Sequence, residues 1–233
     1  MAYEKILLEK KDQIGIITMN QPDKLNAIGL DMKRELYEAL CEFETDDDIM
    51  VIVLTGAGRA FSSGHDNDDP LECMFEFVSL QEEEKLFHLD KPIIAAVHGY
   101  TLGDAMQQAI LCDMIVASDD TVLGFIGPLI GGLCYGSFTV LPAIVGRNRA
   151  NELLLTCERF SAEDGYRMGL VNKVVPRDQL METAMDMARK IAALPRESIK
   201  YTKRALRSTL ADDSHIKAVD EGWKSILAGM DKK

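Results

Sequence analysis

KPIIAAVHGYTLGDAMQQAILCD (91–113) reads in three steps. PIIAAVHG (92–99) is an apolar run of strand length, Gly99 and Gly103 punctuate a turn, and a helix opens at Gly103. Leu102, Ala105, Met106, Ala109 and Ile110 make the apolar face of that helix. Asp104, Gln107 and Gln108, at i, i+3 and i+4, share another face. A strand that passes through a glycine turn into an amphipathic helix is the building step of an α/β protein.

The same alternation extends to both sides. IGIITMN (14–20), MVIVLTG (50–56) and MIVASD (114–119) read as further strands. LDMKRELYEALCEFETDDD (30–48), with Leu36, Leu40 and Phe43 at helical spacing, is a crossover helix, and FVSLQEEEKLFHL (77–89) is another. After residue 137 the chain turns mostly helical, with one β-like run, LVNKVV (170–175), ended by Pro176. RDQLMETAMDMARKIAAL (177–194) and a helix opened by Pro195 follow, since proline suits a first turn. The expected organisation is an α/β core over residues 1–190 and a C-terminal helical region over 191–233.

Composition narrows the function classes. The 233 residues are 47% hydrophobic and carry a formal net charge of −12, which excludes the overall basic footprint of a nucleic-acid or anionic-lipid binder. Five cysteines, Cys41, Cys73, Cys112, Cys134 and Cys157, show neither CxxC spacing nor histidine partners. No metal site or disulfide framework is therefore expected, and reduced thiols suit a cytoplasmic protein. No apolar run approaches the roughly 20 residues of a membrane span, and the N-terminal stretch lacks signal-peptide order.

Two glycine-bearing turns follow strands, GAGRAFSSGHD (56–66) and GYTLGDAM (99–106). Ligands in open α/β sheets collect beyond the carboxyl ends of strands, so the two turns are natural walls of one site. Neither is a GxGxxG fingerprint. LNAI (25–28), VIVLTGAGRAFSSGHD (51–66), KPIIAAVHGYTLG (91–103), CDMIVASDD (112–120) and FSAEDGYRMGLVNKVVP (160–176), in that order, resemble the crotonase family, the enoyl-CoA hydratase/isomerase superfamily.

The resemblance implies a spiral of ββα units with a C-terminal helical region that builds homotrimers or homohexamers. It implies an acyl-CoA thioester substrate, coenzyme A entering only as part of it, with the carbonyl oxygen held between two main-chain N–H groups. By motif position these belong to His65 and to Asp104, where the family usually has glycine. Asp104 keeps two readings: a general base near the substrate α-carbon, or a helix-end carboxylate that complements the dipole. The two glutamates of the hydratases fall at Gln107 and at Ile126 or Gly127, which cannot exchange protons. Ordinary two-glutamate hydration is therefore not expected.

Cys134 stands where some relatives carry a catalytic aspartate, and Tyr135 is a neighbouring proton donor. Lys24, Leu25, Asn26, Ala27, Ser62, Gly64 and Gly103 are the implied coenzyme A contacts, with Arg59 close by. His88 and His98 read as structural. The resemblance also implies that the chain stops short of the family's last helix. Two other readings stay open. One is a catalytically silent relative. The other is an α/β-hydrolase with Cys134 as nucleophile, in the G-x-C-x-G of Gly132, Cys134 and Gly136, with His215 as base, although GFIGPLIG (124–131) makes a poor preceding strand.

Overall fold

A computed structural model describes residues 3–69, 77–133 and 137–210. The chain opens with a hairpin of β1 (Ile6–Lys11) and β2 (Ile14–Met19), followed by α1 (Leu30–Thr45), β3 (Val51–Gly56) and α2 (Phe77–His88). Next come β4 (Ile93–Val97), β5 (Tyr100–Leu102), α3 (Asp104–Leu111), β6 (Met114–Ser118) and β7 (Val122–Gly124). The remainder is α4 (Ser137–Val145), α5 (Arg147–Thr156), β8 (Phe160–Ser161), α6 (Ala162–Arg167), β9 (Lys173–Val175), α7 (Leu180–Ala192) and α8 (Arg196–Arg207).

The main sheet runs β1-β2-β3-β4-β6-β9, antiparallel only at the hairpin and parallel thereafter. Its parallel strands are apolar on both faces because both faces are covered. Ile52 and Leu54 of β3, and Ile93, Ala95 and Val97 of β4, pack with Leu36, Leu40 and Phe43 of α1 and with Ala105 and Ala109 of α3. Val51 and Val53, with Ile94 and Ala96, face the other way, onto Leu180, Ala184 and Ala188 of α7. That two-sided burial is why these strands appear as continuous apolar runs.

A second, smaller ladder positions the site. β5 pairs in parallel with β7, and β7 in antiparallel with β8. Single bridges Ile28↔His65 and Ser62↔Thr101 prolong the same edge-on contact between successive turns of the chain. Three strands of the main sheet thus lead to a short extended piece and then to a helix: β2, Ile28, α1; β3, Ser62 to His65, α2; β4, β5, α3. This repeated ββα step is the spiral expected from the sequence. Gly99 makes the step at β4 possible, for at φ +54° any Cβ there would lie 2.2 Å from the Arg59 carbonyl oxygen.

α7 lies on the main sheet, and α8 is tied back to it by Lys203, whose ammonium reaches Asp113 at 2.7 Å and the Lys91 carbonyl at 2.9 Å. No helix among the described residues is long and apolar enough to cross a membrane.

Candidate active site

The turns after β3 and β5 meet. Ile28 N–H donates to the Gly64 carbonyl at 2.7 Å and Asp66 N–H to the Ile28 carbonyl at 3.1 Å, so the bridge skips the amide of His65 itself. Asp104 is the first residue of α3, where N–H groups have no intrahelical acceptor. Among the described residues neither the His65 nor the Asp104 amide donates to a protein acceptor. The two backbones touch: a Cβ built on Gly64 would sit 2.6 Å from the Leu102 carbonyl oxygen and 3.6 Å from the Asp104 nitrogen. Gly64 itself has φ +99°. Two adjacent free amides of this kind are suited to an oxygen that gains negative charge.

The Asp104 side chain goes to α1. Its carboxylate lies 3.3 Å from the ammonium of Lys33, and both residues are buried. One turn on, Gln107 donates its side-chain amide to Glu83 of α2, and Gln108 donates to Glu82 at 3.1 Å. Glu82 is 1% exposed and Glu83 7% exposed, and in each the second carboxyl oxygen has no partner.

Three carboxylates thus face one ammonium in a buried space, and the protonation states follow from that count. Burial pushes Glu82 up to about 8, with Lys33 opposing and Glu83 adding to the rise. Burial pushes Glu83 up to about 7, again against Lys33 and with Asp104 adding to it. Burial alone would strip Lys33 of its proton, but the carboxylates of Asp104, Glu83 and Glu82 outweigh it and hold the ammonium charged. A neutral carboxyl would also supply the donor that the Gln107 and Gln108 side-chain oxygens lack.

The expected coenzyme A contacts divide. Leu25 and Asn26 stand in the left-handed region at φ 53°, where the LNA loop turns. Asn26 is fully buried; its side-chain oxygen accepts from the Gln21 amide at 2.8 Å and its nitrogen donates to the carbonyls of Ala57, Ala60 and Phe61. It therefore fastens the loop to the FSSG turn. Asn26→Ala is expected to lower stability by about 2–3 kcal/mol, read by denaturant unfolding, because buried carbonyls lose their donor. Ser62 accepts from the Gly64 amide at 3.1 Å, and Ala27 is buried. Lys24 is engaged by Asp66 at 3.0 Å and Asp68 at 2.7 Å, so a phosphate would have to compete with two carboxylates.

Gly103 begins α3 with φ +55°, and a Cβ there would lie 3.4 Å from the Ile126 side chain. Ile126, one of the two positions expected for a second glutamate, thus presents a hydrocarbon to the start of α3. His65 directs its ring to the Asp69 carbonyl at 3.1 Å, while the Asp69 carboxylate caps α1 through the Leu30 amide at 2.7 Å. His98 is buried and held down to about 4 by burial and by Arg177, so it stays neutral. Cys134 and Tyr135 lie outside the described residues, as do Gly136 and His215 of the hydrolase reading. The segment before them, Gly127–Ile130, is a 3-10 turn. No group of three or more His, Cys, Asp or Glu among the described residues is arranged to hold a metal ion.

Sequence reading missed Lys33, Glu82 and Glu83. The signal was present. Lys33 falls three residues before Leu36 on the apolar stripe of α1, and Glu82 and Glu83 stand four and three residues before buried Leu86.

Comparison with known proteins accords with this geometry. The family model for enoyl-CoA hydratase/isomerase matches residues 9–224. The short-chain-enoyl-CoA hydratase of Clostridium acetobutylicum is 32% identical over 223 residues, 91% of this chain and 85% of that one. The crystal structure of an enoyl-CoA hydratase from Mycobacterium avium subsp. paratuberculosis superposes with a TM-score of 0.89 at 25% identity, covering 97% of this chain and 95% of that one. A monofunctional enoyl CoA isomerase from M. smegmatis superposes with a TM-score of 0.79 at 32% identity, covering 91% and 98%. With a ββα spiral, paired free amides at its turns and a family match over nearly its whole length, this chain is an enzyme of the enoyl-CoA hydratase/isomerase family.

Proposed function

We propose that the chain binds an acyl-CoA thioester, stabilises its enolate oxygen with the amides of His65 and Asp104, and does so without two-glutamate hydration chemistry. The observation that carries the proposal is the pair of acceptor-free amides on touching turns. An oxygen that becomes negative in the reaction gains more from such fixed donors than it does in the ground state, which lowers the barrier to enolate formation. Coenzyme A is held as part of the substrate along the Leu25–Ala27 loop and the Ser62–Gly64 turn, with no separate cofactor. Assembly as a homotrimer or homohexamer in the cytoplasm belongs to the same proposal.

Gln107 and Ile126 argue against hydration. Addition of water across a double bond needs one group to activate the water and another to protonate carbon, and neither side chain can exchange a proton. Calorimetric titration with acetoacetyl-CoA is expected to show micromolar binding, and crotonyl-CoA hydration is expected to be far slower than in ordinary hydratases. A folded protein that binds no acyl-CoA overturns the proposal. Binding without chemistry on any thioester of a broad panel would make the chain a silent relative.

A further inference from the structure

We propose that Glu83, gripped by Gln107 across the α2–α3 contact, is the group that exchanges the proton on the substrate α-carbon. The inference rests on the enolate reading above. Gln107 lies one helical turn beyond the Asp104 amide, and although its own side chain cannot titrate, it holds a carboxyl that can. The proton-carrying function has moved from the α3 side chain to the residue that side chain binds.

Two observations favour Glu83 within the cluster, and a third shows that it has an oxygen to offer. Asp104 is committed to Lys33. Glu82 is the more deeply buried of the pair and is held by Gln108, on the side of α3 that leads to Cys112. Glu83, like Glu82, keeps one oxygen bound and the other without a partner although the residue is more than nine-tenths buried, an arrangement that costs free energy unless a ligand or a proton uses that atom.

The step balances within the site. The free oxygen of ionised Glu83 takes a proton from the α-carbon, the C–H electron pair becomes the carbon–carbon double bond of the enolate, and the carbonyl π pair moves onto the oxygen between the two amides. Return of the proton from neutral Glu83 to the α-carbon or, in a conjugated enolate, to the γ-carbon restores the carboxylate. The groups facing Glu83 are Lys33 from α1 and Asp104 and Gln107 from α3, and its charge in turn raises Glu82, the neighbour on its own helix. Their balance leaves Glu83 near neutrality, where acid and base forms are both populated.

The test is deuterium wash-in at the α-carbon of 3-butenoyl-CoA in heavy water, followed by mass shift. The wild-type protein is expected to exchange. Glu83→Gln is expected to exchange at least about 100-fold more slowly while binding butyryl-CoA within about threefold of wild type, and exposed Glu84→Gln is expected to match wild type. Exchange by Glu83→Gln within threefold of wild type overturns this inference and leaves the enolate reading standing. Absence of exchange in wild type overturns both. Should Glu83→Gln fail to fold, the wild-type profile decides: the rate is expected to rise with pH through about 7 as one proton is lost, and a flat profile overturns the assignment.

Discussion

Lys33→Met is expected to lower folding stability at neutral pH by about 3–5 kcal/mol, the loss typical when one member of a buried ion pair is removed. Lys33 is 3% exposed and is the only cation ranged against Asp104, Glu82 and Glu83 among the described residues. Methionine fills a similar volume, so the loss reports charge rather than a cavity. The sign is fixed by the direction of the shift. Lys33 holds its proton more tightly folded than unfolded, so its contribution is complete below the ordinary lysine value and is lost only at strongly alkaline pH. Urea unfolding at pH 7 measures the effect. Adding Asp104→Asn to Lys33→Met removes the stranded carboxylate and is expected to recover much of the loss. A single variant within 1 kcal/mol of wild type would show that the ion pair contributes nothing net.

The interior of this molecule was legible where apolar periodicity alone decides the structure. IGIITMN, MVIVLTG, PIIAAVHG and MIVASD became β2, β3, β4 and β6 within two residues at each end, because strands covered on both faces have no polar alternation to blur them. β1 escaped notice because it is an edge strand: Ile6 is buried, but Leu7 is exposed and Glu9 to Lys11 face solvent. The short strands β5, β7 and β8, of two or three residues, fell below any periodic signal and are defined by their partners.

At the site, backbone chemistry was plain in the sequence, whereas the side-chain signal lay only in charged residues set on apolar helix stripes. Gly64 and Gly103 mark positive-φ turns that bring two amides together, and glycine carries that information in a single sequence. The EEE run at 82–84 looks like a solvated charge cluster until α3 is placed against it, when two of the three glutamates prove buried and only Glu84 remains outside. Asp104 was the puzzle of the sequence, a carboxylate at a position that must tolerate a negative oxygen. Its answer lay 71 residues upstream, in a lysine whose partner no local pattern could identify.

The same cluster contributes a pH dependence of stability in the reverse of the usual sense, opposed below about pH 6.5 by buried His98. Most carboxylates in a fold are paired and stabilise it as they ionise, but Glu82 and Glu83 hold their protons more tightly folded than unfolded. Between the ordinary glutamate value of 4.5 and about 8 the unfolded chain therefore binds fewer protons at these sites than the native one, and stability falls as pH rises. Each group contributes a slope of up to about 1.4 kcal/mol per pH unit where the two states differ by a full proton. Taken by themselves the two groups are expected to cost on the order of 6 kcal/mol between about pH 5 and pH 8, read from urea midpoints at a series of pH values. Glu82→Gln with Glu83→Gln keeps an acceptor for each glutamine of α3 while removing both titrations. The double variant is expected to remove the fall with rising pH and to exceed wild type at pH 8, because a neutral amide does not bring a second negative charge into the space that Lys33 can balance only once. An unchanged slope would mean that the two carboxyls are solvated in solution, and the proton exchange assigned to Glu83 would then lose the buried surroundings that bring its acid and base forms together near neutral pH.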